Sequence, residues 1–342
     1  MSSKSNQLPI INTLRAIAAL MVCVFHFSWH SDETGMLYPE DNFIRYYGWQ
    51  GHIGVYVFFV ISGFVIPLSM WYGRYHLRDF FRFIAKRLVR LHPPFVLTLV
   101  VMALLAVCYS WVDGTLLVID VKRILHNFFL TAEFFDVQWY QGIYWTLAIE
   151  FQYYLLIGLL FPLFSWKPSW ISVLFFIPFL LSAHFFDHQT GKHIIFFHAP
   201  VFAMGIALFL HHIKHINGAA LVLIMACCMV ETRYELSPEI AVATSITSYA
   251  IACMNWHNRV LDFVGKVSYS LYLTHGISGG TFLYATARYA ESFVAKTVLL
   301  VLTLLVSIAG AWIFYKIIEE PSIRWSKRIR YKWRDGKREK PE

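Results

Sequence analysis

Long apolar segments recur along the whole chain, and short polar connections separate them. Ten such segments can be marked: 10–29, 51–72, 94–112, 144–164, 170–186, 194–210, 218–230, 240–254, 265–284 and 294–317. An α-helix needs roughly 20 mainly apolar residues to cross the hydrocarbon core of a bilayer, and most of these segments approach that length. The seventh segment, 218–230, is short for a span. The pattern predicts an all-α, polytopic integral membrane protein with about ten transmembrane helices.

The first apolar segment raises the alternative of a cleaved signal peptide. Arg15 interrupts the apolar run, and the residues that follow it, Ser28-Trp29-His30, offer no small-x-small cleavage site. We therefore interpret this segment as an uncleaved first helix.

Composition excludes several classes of protein. Of the 342 residues, 58% are hydrophobic and only 15% are charged, against about 25% charged residues in soluble domains. These values exclude a disordered chain, a disulfide scaffold and an ordinary soluble enzyme. The five cysteines all lie in apolar runs without CxxC spacing, which is typical of buried apolar side chains. Histidines, cysteines and carboxylates show no spacing that predicts a metal site.

The distribution of Lys and Arg orients the chain in the membrane. With a cytoplasmic N-terminus, nineteen Lys and Arg residues lie in cytoplasmic segments, six lie in outer segments and four lie in or beside spans. Cytoplasmic loops carry the excess of positive charge in membrane proteins. The bias therefore predicts that both termini are cytoplasmic.

The positive charge could also suggest a nucleic-acid partner, because the net charge is +8. Much of it lies in residues 324–342, which we interpret as a basic cytoplasmic tail after a transmembrane domain over 1–323. Such a tail sets orientation and contacts anionic lipid. We expect membrane lipids, and no nucleic acid, as its partners.

Three ionisable residues lie at membrane depth, where each is a functional candidate because burying a charge there is costly. Arg15 and His26 are eleven residues apart on the first helix, which places both on one face and about 16 Å apart along the axis. Glu150 lies near the start of the fourth span. On the predicted topology, His26 and Glu150 share a similar depth near the outer surface, and Arg15 lies near the cytoplasm.

A histidine and a carboxylate at one depth suggest a general base with an orienting partner. The carboxylate would fix the tautomer of the ring and favour the imidazolium formed during proton transfer. The alternative is that His26 is a hydrogen-bonded packing residue and that Glu150 binds backbone or water. Glu150 is harder to dismiss, because an unpaired carboxylate is costly between apolar neighbours.

A second basic cluster lies in the cytoplasmic loop 78–94. Arg87 and Arg90 are three residues apart and would share a helix face just before the third span. Two guanidinium groups there could bind phosphates, or they could serve only as positive-inside anchors. His275 lies in the middle of a later span and is a weaker candidate.

The longest outer loops, about 30–50 and 113–143, hold several aromatic residues, among them Trp49. Aromatic faces stack on sugar rings, so these loops could contact a saccharide. An interfacial aromatic belt is the alternative.

Six short motifs follow one another along nearly the whole chain. They are Arg15 and His26 with ten residues between them, Gly54–Ile66 (GVYVFFVISGFVI), Arg87-Leu88-Val89-Arg90, Trp145–Glu150 (WTLAIE), Ser268–His275 (SYSLYLTH) and Glu320-Pro321. In this order they resemble the motifs of the membrane-bound acyltransferase family 3, whose members modify bacterial surface carbohydrates.

The resemblance implies acyl transfer, usually of acetyl, from cytoplasmic acyl-CoA to a glycan hydroxyl on the outer side. It implies that His26 is the catalytic base with Glu150 assisting, and that Arg15, Arg87 and Arg90 lie near the CoA phosphates. Further site candidates lie within the matched motifs, namely Trp145, Ser62, Tyr269 and His275.

The resemblance also implies partners and a location. The donor is acetyl-CoA or another acyl-CoA, with no tightly bound cofactor. The acceptor is a glycan or glycolipid such as lipopolysaccharide or exopolysaccharide, and glycan-assembly proteins are further candidate partners. The expected location is the bacterial inner membrane.

Two departures from the family pattern stand out. Leu91-His92-Pro93-Pro94 replaces the more usual aromatic residue before a single proline. The extra extracytoplasmic domain that some members carry has no counterpart, so we expect the chain to complete the transfer alone or to pass the acyl group to a partner.

A different class of function is also open. A transporter or flippase for a saccharide or a lipid-linked precursor would line a polar path with Arg15, His26 and Glu150. Such a protein has no need of paired cytoplasmic arginines, whereas an enzyme that uses CoA does.

Overall fold

The computed structural model describes residues 8–29, 31–32, 35–112, 114, 120–165, 169–181, 184 and 194–331. Regular structure in this part of the chain is helical, apart from two antiparallel strands of two residues each, β1 (Ser31–Asp32) and β2 (Gly35–Met36). The all-α fold is thus confirmed. Three lysines used in the charge count and the tail from 332 onward lie outside the described residues: Lys4, Lys167 and Lys192.

The α-helices are numbered here in chain order. They are α1 (Pro9–Ser28), α2 (Phe43–Trp49), α3 (Gly54–Tyr72), α4 (Phe80–Val112), α5 (Val121–Phe128), α6 (Tyr144–Ser165), α7 (Ser169–Leu181), α8 (Ile195–His212), α9 (Gly218–Glu235), α10 (Pro238–Cys253), α11 (Arg259–Lys266), α12 (Ser268–His275), α13 (Thr281–Thr286), α14 (Phe293–Phe314) and α15 (Glu320–Arg328). A π turn, Gly276–Gly280, joins α12 to α13, and a second, Tyr315–Glu319, joins α14 to α15.

Within the described residues, six helical segments are long and apolar enough to cross a membrane. They are Pro9–Ser28, Phe43–Tyr72, Leu77–Cys108, Tyr144–Leu163, Ile195–His212 and Phe293–Arg328. Helices α7, α9, α10 and the α12–α13 pair lie where the other four spans are predicted, but they are shorter or more polar. The protein is therefore a polytopic membrane protein, while the count of ten spans and the cytoplasmic termini stay predictions.

The main difference from the sequence analysis concerns the segment 78–94, which we predicted as a loop before a span. Helix α4 instead begins at Phe80 and continues through Pro93 and Pro94. Each proline lacks an N–H, so the carbonyl oxygens four residues earlier lose their intrahelical donor. Helices in membranes tolerate this because neighbouring groups satisfy the freed carbonyls. Arg87 and Arg90 consequently lie within the long helix and not in a loop.

The chain divides into two compact units. The first comprises Met1–Ile61 and Thr232–Ile317, and the second comprises Ser62–Glu231 and Ile318–Glu342. In the first unit, α1 presents small side chains to its neighbours, which allows close helix packing in a membrane. The buried core around α1 includes Ala16, Ala19 and Cys23.

In the second unit, the buried Tyr75 connects the segment before α4 to α6. The Tyr75 hydroxyl donates a hydrogen bond of 2.5 Å to the carbonyl oxygen of Gly158 on α6. Burial raises the pKa of Tyr75, and the nearby Tyr331 and Asp79 raise it further. The phenol therefore stays protonated and remains a donor at physiological pH.

Candidate functional site

Arg15 and His26 both project from α1, as their spacing predicts. The helix is continuous from Pro9 to Ser28, so eleven residues separate the two side chains by about 16 Å along its axis. Arg15 is half-buried and His26 is exposed.

Each of these residues contacts the late motif on α12. The Arg15 Nε donates a hydrogen bond of 3.1 Å to the Ser268 hydroxyl. The rings of His26 and His275 lie 5.0 Å apart between centroids, at an angle of 39°. Ser268 is the first residue of α12 and His275 is the last, so Arg15 and His26 contact opposite ends of that helix.

The surroundings of His275 determine which of its nitrogens can accept a proton. This residue is only 2% exposed. Its Nδ1 lies 2.8 Å from the carbonyl oxygen of Tyr272 and 3.2 Å from that of Leu271. A carbonyl oxygen only accepts hydrogen bonds, so Nδ1 carries the hydrogen and Nε2 of the neutral ring is left as the acceptor. His275 thus stands beside His26 in a fixed tautomer.

Glu150, in the second unit, accepts two hydroxyl hydrogen bonds at one oxygen. Ser62 on α3 donates to Glu150 Oε1 at 2.9 Å, and Tyr154 donates to the same oxygen at 2.5 Å. Both hydroxyl groups act as donors here, because a carboxylate oxygen accepts hydrogen bonds. Glu150 is therefore held in place, with one of its two oxygens bound by both donors.

Arg87 is the most deeply buried of the predicted arginines, at 8% exposure. Its Nη2 donates a hydrogen bond of 2.8 Å to the Ser69 hydroxyl. Its guanidinium carbon lies 5.4 Å from the ring centroid of Phe83 and 5.7 Å from that of Tyr154. Among the described residues, its buried Nε has no hydrogen-bond partner.

A guanidinium group has five N–H donors, so the contacts of Arg87 use only part of its capacity. Arg90 lies three residues further along α4 and is half-buried. The pair shares a helix face, as predicted, and together it offers donors suited to an anion such as a phosphate.

The second unit therefore arranges its polar residues along α3. Glu150 contacts Ser62 and Arg87 contacts Ser69, and these serines lie seven residues, or about 10 Å, apart along that helix. Tyr154 connects the two levels, because its hydroxyl binds Glu150 while its ring lies beside Arg87.

Sequence reasoning missed Tyr154 and Ser69. Tyr154 follows Glu150 by four residues on one helix, the spacing that brings side chains together, so that signal was present. Ser69 follows Ser62 by two helical turns on α3 and could have been found in the same way.

Two of the additional candidates are Trp145 on α6 and Tyr269 on α12. The Trp145 ring lies 5.7 Å from the ring of His198, which is 2% exposed. Tyr269 is half-buried on α12, one residue after Ser268.

The predicted partnership of His26 with Glu150 joins residues of different units. Within its own unit, His26 contacts His275 and lies on the helix that carries Arg15. Within its own unit, Glu150 contacts Ser62 and Tyr154 and is connected to Arg87. The partnership itself stays a prediction.

Chemically, each unit supplies groups of a different kind. The first offers an exposed imidazole that can accept a proton. The second offers a carboxylate with hydroxyl donors and a buried cation with spare donors. Groups of these kinds serve proton transfer and anion binding, which are the requirements of group transfer from an anionic donor.

Comparison with known proteins identifies the family. The sequence model of the acyltransferase domain of acyltransferase family 3 matches residues 8–316, which is nearly the whole chain. A search of curated proteins and one of solved structures find no match. The family match spans the residues of both units described above, from Arg15 to His275, and the helices of this chain are those of a polytopic membrane protein. This protein belongs to acyltransferase family 3 and is a membrane acyltransferase.

Proposed function

We propose that this acyltransferase moves an acetyl group from cytoplasmic acetyl-CoA to a hydroxyl of an extracytoplasmic glycan, at the bacterial inner membrane. In this reaction the hydroxyl oxygen attacks the thioester carbon, an ester bond forms and the carbon–sulfur bond breaks. His26 accepts the hydroxyl proton, and the departing sulfur takes a proton to give CoA. Glu150 favours the imidazolium form of His26 during the transfer.

The observation that supports an acyl-CoA donor is the environment of Arg87. A buried guanidinium whose Nε has no hydrogen-bond partner in the described residues is costly to maintain unless a ligand completes it. CoA carries several phosphates, and arginine binds phosphates through paired N–H donors. Arg90 and Arg15 extend the positive charge available to such a donor.

We predict that Arg87→Gln combined with Arg90→Gln weakens acetyl-CoA binding by roughly 10²–10⁴-fold, because hydrogen bonds to charged groups contribute about 1.5–3 kcal/mol each. These contacts exist in both ground and transition states, so KM should rise while kcat changes little. The measurement is the KM for acetyl-CoA and for a short thioester that lacks the nucleotide, such as S-acetyl-N-acetylcysteamine.

The matched control removes two other cationic side chains from the connection before α4. Arg74→Gln with Arg78→Gln deletes the same charge at exposed positions and should leave both KM values unchanged. Equal losses with the two donors, or equal effects in the two double variants, would mean that Arg87 and Arg90 act only as topology signals.

Sidedness separates this proposal from a transporter or flippase. If Arg15 faces the cytoplasm and His26 lies near the outer surface, the thioester must reach about 16 Å into the protein, the distance that eleven residues span along α1. Acetyl-CoA added outside sealed inverted vesicles should then acylate a glycan trapped in the lumen, and CoA should appear on the donor side. Solute movement that is independent of CoA would support a transporter. Acylation that needs donor and acceptor on one face would contradict this arrangement.

A further inference from the structure

Aromatic rings connect the His26 end of α1 to the short helix α2. The Phe25 ring lies 4.8 Å from the His26 ring and 5.4 Å from the Trp49 ring. The Trp49 ring lies 4.6 Å from that of Trp29 and is 44% exposed. The exposed Trp49 ring is thus connected to the exposed His26 imidazole through the Phe25 ring, which contacts both.

A buried arginine lies behind these rings. The Arg45 guanidinium carbon is 4.5 Å from the centroid of the Trp29 ring, and the indole N–H of Trp29 donates a hydrogen bond to the Arg45 carbonyl oxygen. Arg45 is only 6% exposed. Within the described residues, its Nη1 has no hydrogen-bond partner. Among these residues the guanidinium group therefore keeps a buried donor without a partner, an arrangement that costs stability unless a ligand satisfies it.

Among the described residues, Arg45 forms an ion pair with Glu40, and the geometry of this pair indicates a weak interaction. Glu40 Oε1 lies 3.5 Å from Arg45 Nη2, and the Glu40 side chain is 91% exposed. Charge-assisted hydrogen bonds between such groups are shorter, about 2.7–2.9 Å, and exposed ion pairs contribute little. A carboxylate can thus reach this guanidinium, and the one that does so now is readily displaced.

The local packing fixes α2 beside the catalytic end of α1. A Cβ atom added to Gly48 would overlap the Ser28 hydroxyl, so only glycine permits this approach. Ser28 lies two residues after His26, which means that Arg45 and Trp49 are held at a fixed distance from the proposed base.

We propose that Arg45 and Trp49 form an acceptor subsite that selects a saccharide bearing an anionic group. The proposal rests on the proposed acyl transfer to a glycan and names the chemical class of that glycan. The sugar ring stacks on Trp49, its carboxylate or phosphate replaces Glu40 at Arg45, and a neighbouring sugar presents its hydroxyl to His26.

A membrane-interface belt would explain exposed tryptophans, but it does not explain the arginine. Belts place aromatic rings at the headgroup level without a buried cation behind them. A buried cation with an open donor is typical of anion recognition.

The test uses the full-length protein in nanodiscs of phosphatidylcholine and measures binding by titration calorimetry. The probes are a trisaccharide of glucuronic acid, the matching trisaccharide of glucose, and that neutral trisaccharide carrying one phosphate monoester. We expect the glucuronate trisaccharide to bind at least tenfold more tightly than the neutral one. The phosphorylated arm shows whether a carboxylate or a phosphate is preferred.

Three variants test whether Arg45 and Glu40 control the selectivity for the acidic trisaccharide. Arg45→Met keeps the apolar part of the side chain and removes the charge, so it should abolish the preference for the charged probe, while Arg45→Lys should retain part of it. Glu40→Gln removes the competing carboxylate from an exposed position and should tighten binding of the acidic probe several-fold. Acetyl-CoA affinity should stay unchanged in all three.

Equal affinity of the wild-type protein for acidic and neutral trisaccharides would overturn the subsite, as would unchanged selectivity in Arg45→Met and Glu40→Gln. If acyl transfer persists without charge selectivity, only the subsite fails. If no acyl group is transferred but the selectivity remains, the proposed function fails instead.

Discussion

His26→Ala should reduce the rate of acyl transfer by about 10²–10⁴-fold, the usual effect of losing a general base. The histidine side chain is exposed and has its described ring contacts with Phe25 and His275, so its truncation removes little packing. The measurement is turnover of purified protein with acetyl-CoA and an acidic glycan. Acetyl-CoA affinity and thermal unfolding should both match the wild-type protein.

The neighbouring histidine supplies the control. In His275→Asn the side-chain amide can still donate to the Tyr272 carbonyl, but the ring beside His26 is lost. If His275 only orients His26, this variant should lose less activity than His26→Ala. Near-normal turnover of His26→Ala would exclude His26 as the base.

Glu150→Gln should also cause a large loss, of about 10²-fold or more, within the range measured for groups that act in proton transfer. Glutamine retains the volume and an oxygen that can accept from Ser62 and Tyr154, so the substitution removes mainly the charge. The loss should appear in kcat more than in KM, because the carboxylate stabilises a charge that develops during the reaction.

Tyr154→Phe is the matched comparison, since it removes one hydrogen bond to Glu150 and leaves the charge. A single net hydrogen bond contributes about 1 kcal/mol, so the expected loss is roughly fivefold to tenfold. A Tyr154→Phe variant as inactive as Glu150→Gln would mean that the geometry of the carboxylate, and not its charge, controls the rate.

Most of what the sequence predicts about the candidate site comes from the spacing of its residues along helices. The eleven-residue separation of Arg15 and His26 and the three-residue separation of Arg87 and Arg90 both correspond to side chains on one helix face. The start of α4 was wrong because the span was predicted from the apolar run 94–112 alone, whereas the helix also includes the charged segment before Pro93 and Pro94. Inside a membrane helix they remove hydrogen bonds without ending the helix.

Contacts between distant motifs were beyond the sequence. Arg15 and Ser268 are 253 residues apart, and His26 meets His275 across a similar distance along the chain. Such pairs depend on which helix faces pack together, and apolar spans carry almost no amphipathic signal to indicate this. The burial of Arg45 was not predictable either, because the sequence of a polar loop does not show which of its arginines is buried.

The π turn after His275 has a consequence for how this chain can vary among its relatives. A π turn holds one residue more than an α-helical turn, so it works as a place where one residue can be gained or lost. Deletion of one residue there would convert the π turn into an α-helical turn, which leaves both His275 and α13 in register with their neighbours. Side chains at Gly276 would enter open space, whereas one at Gly279 would meet Ser307 and Phe27. Homologues of different length should therefore place their gap within Gly276–Gly280 and keep the glycine that faces α14.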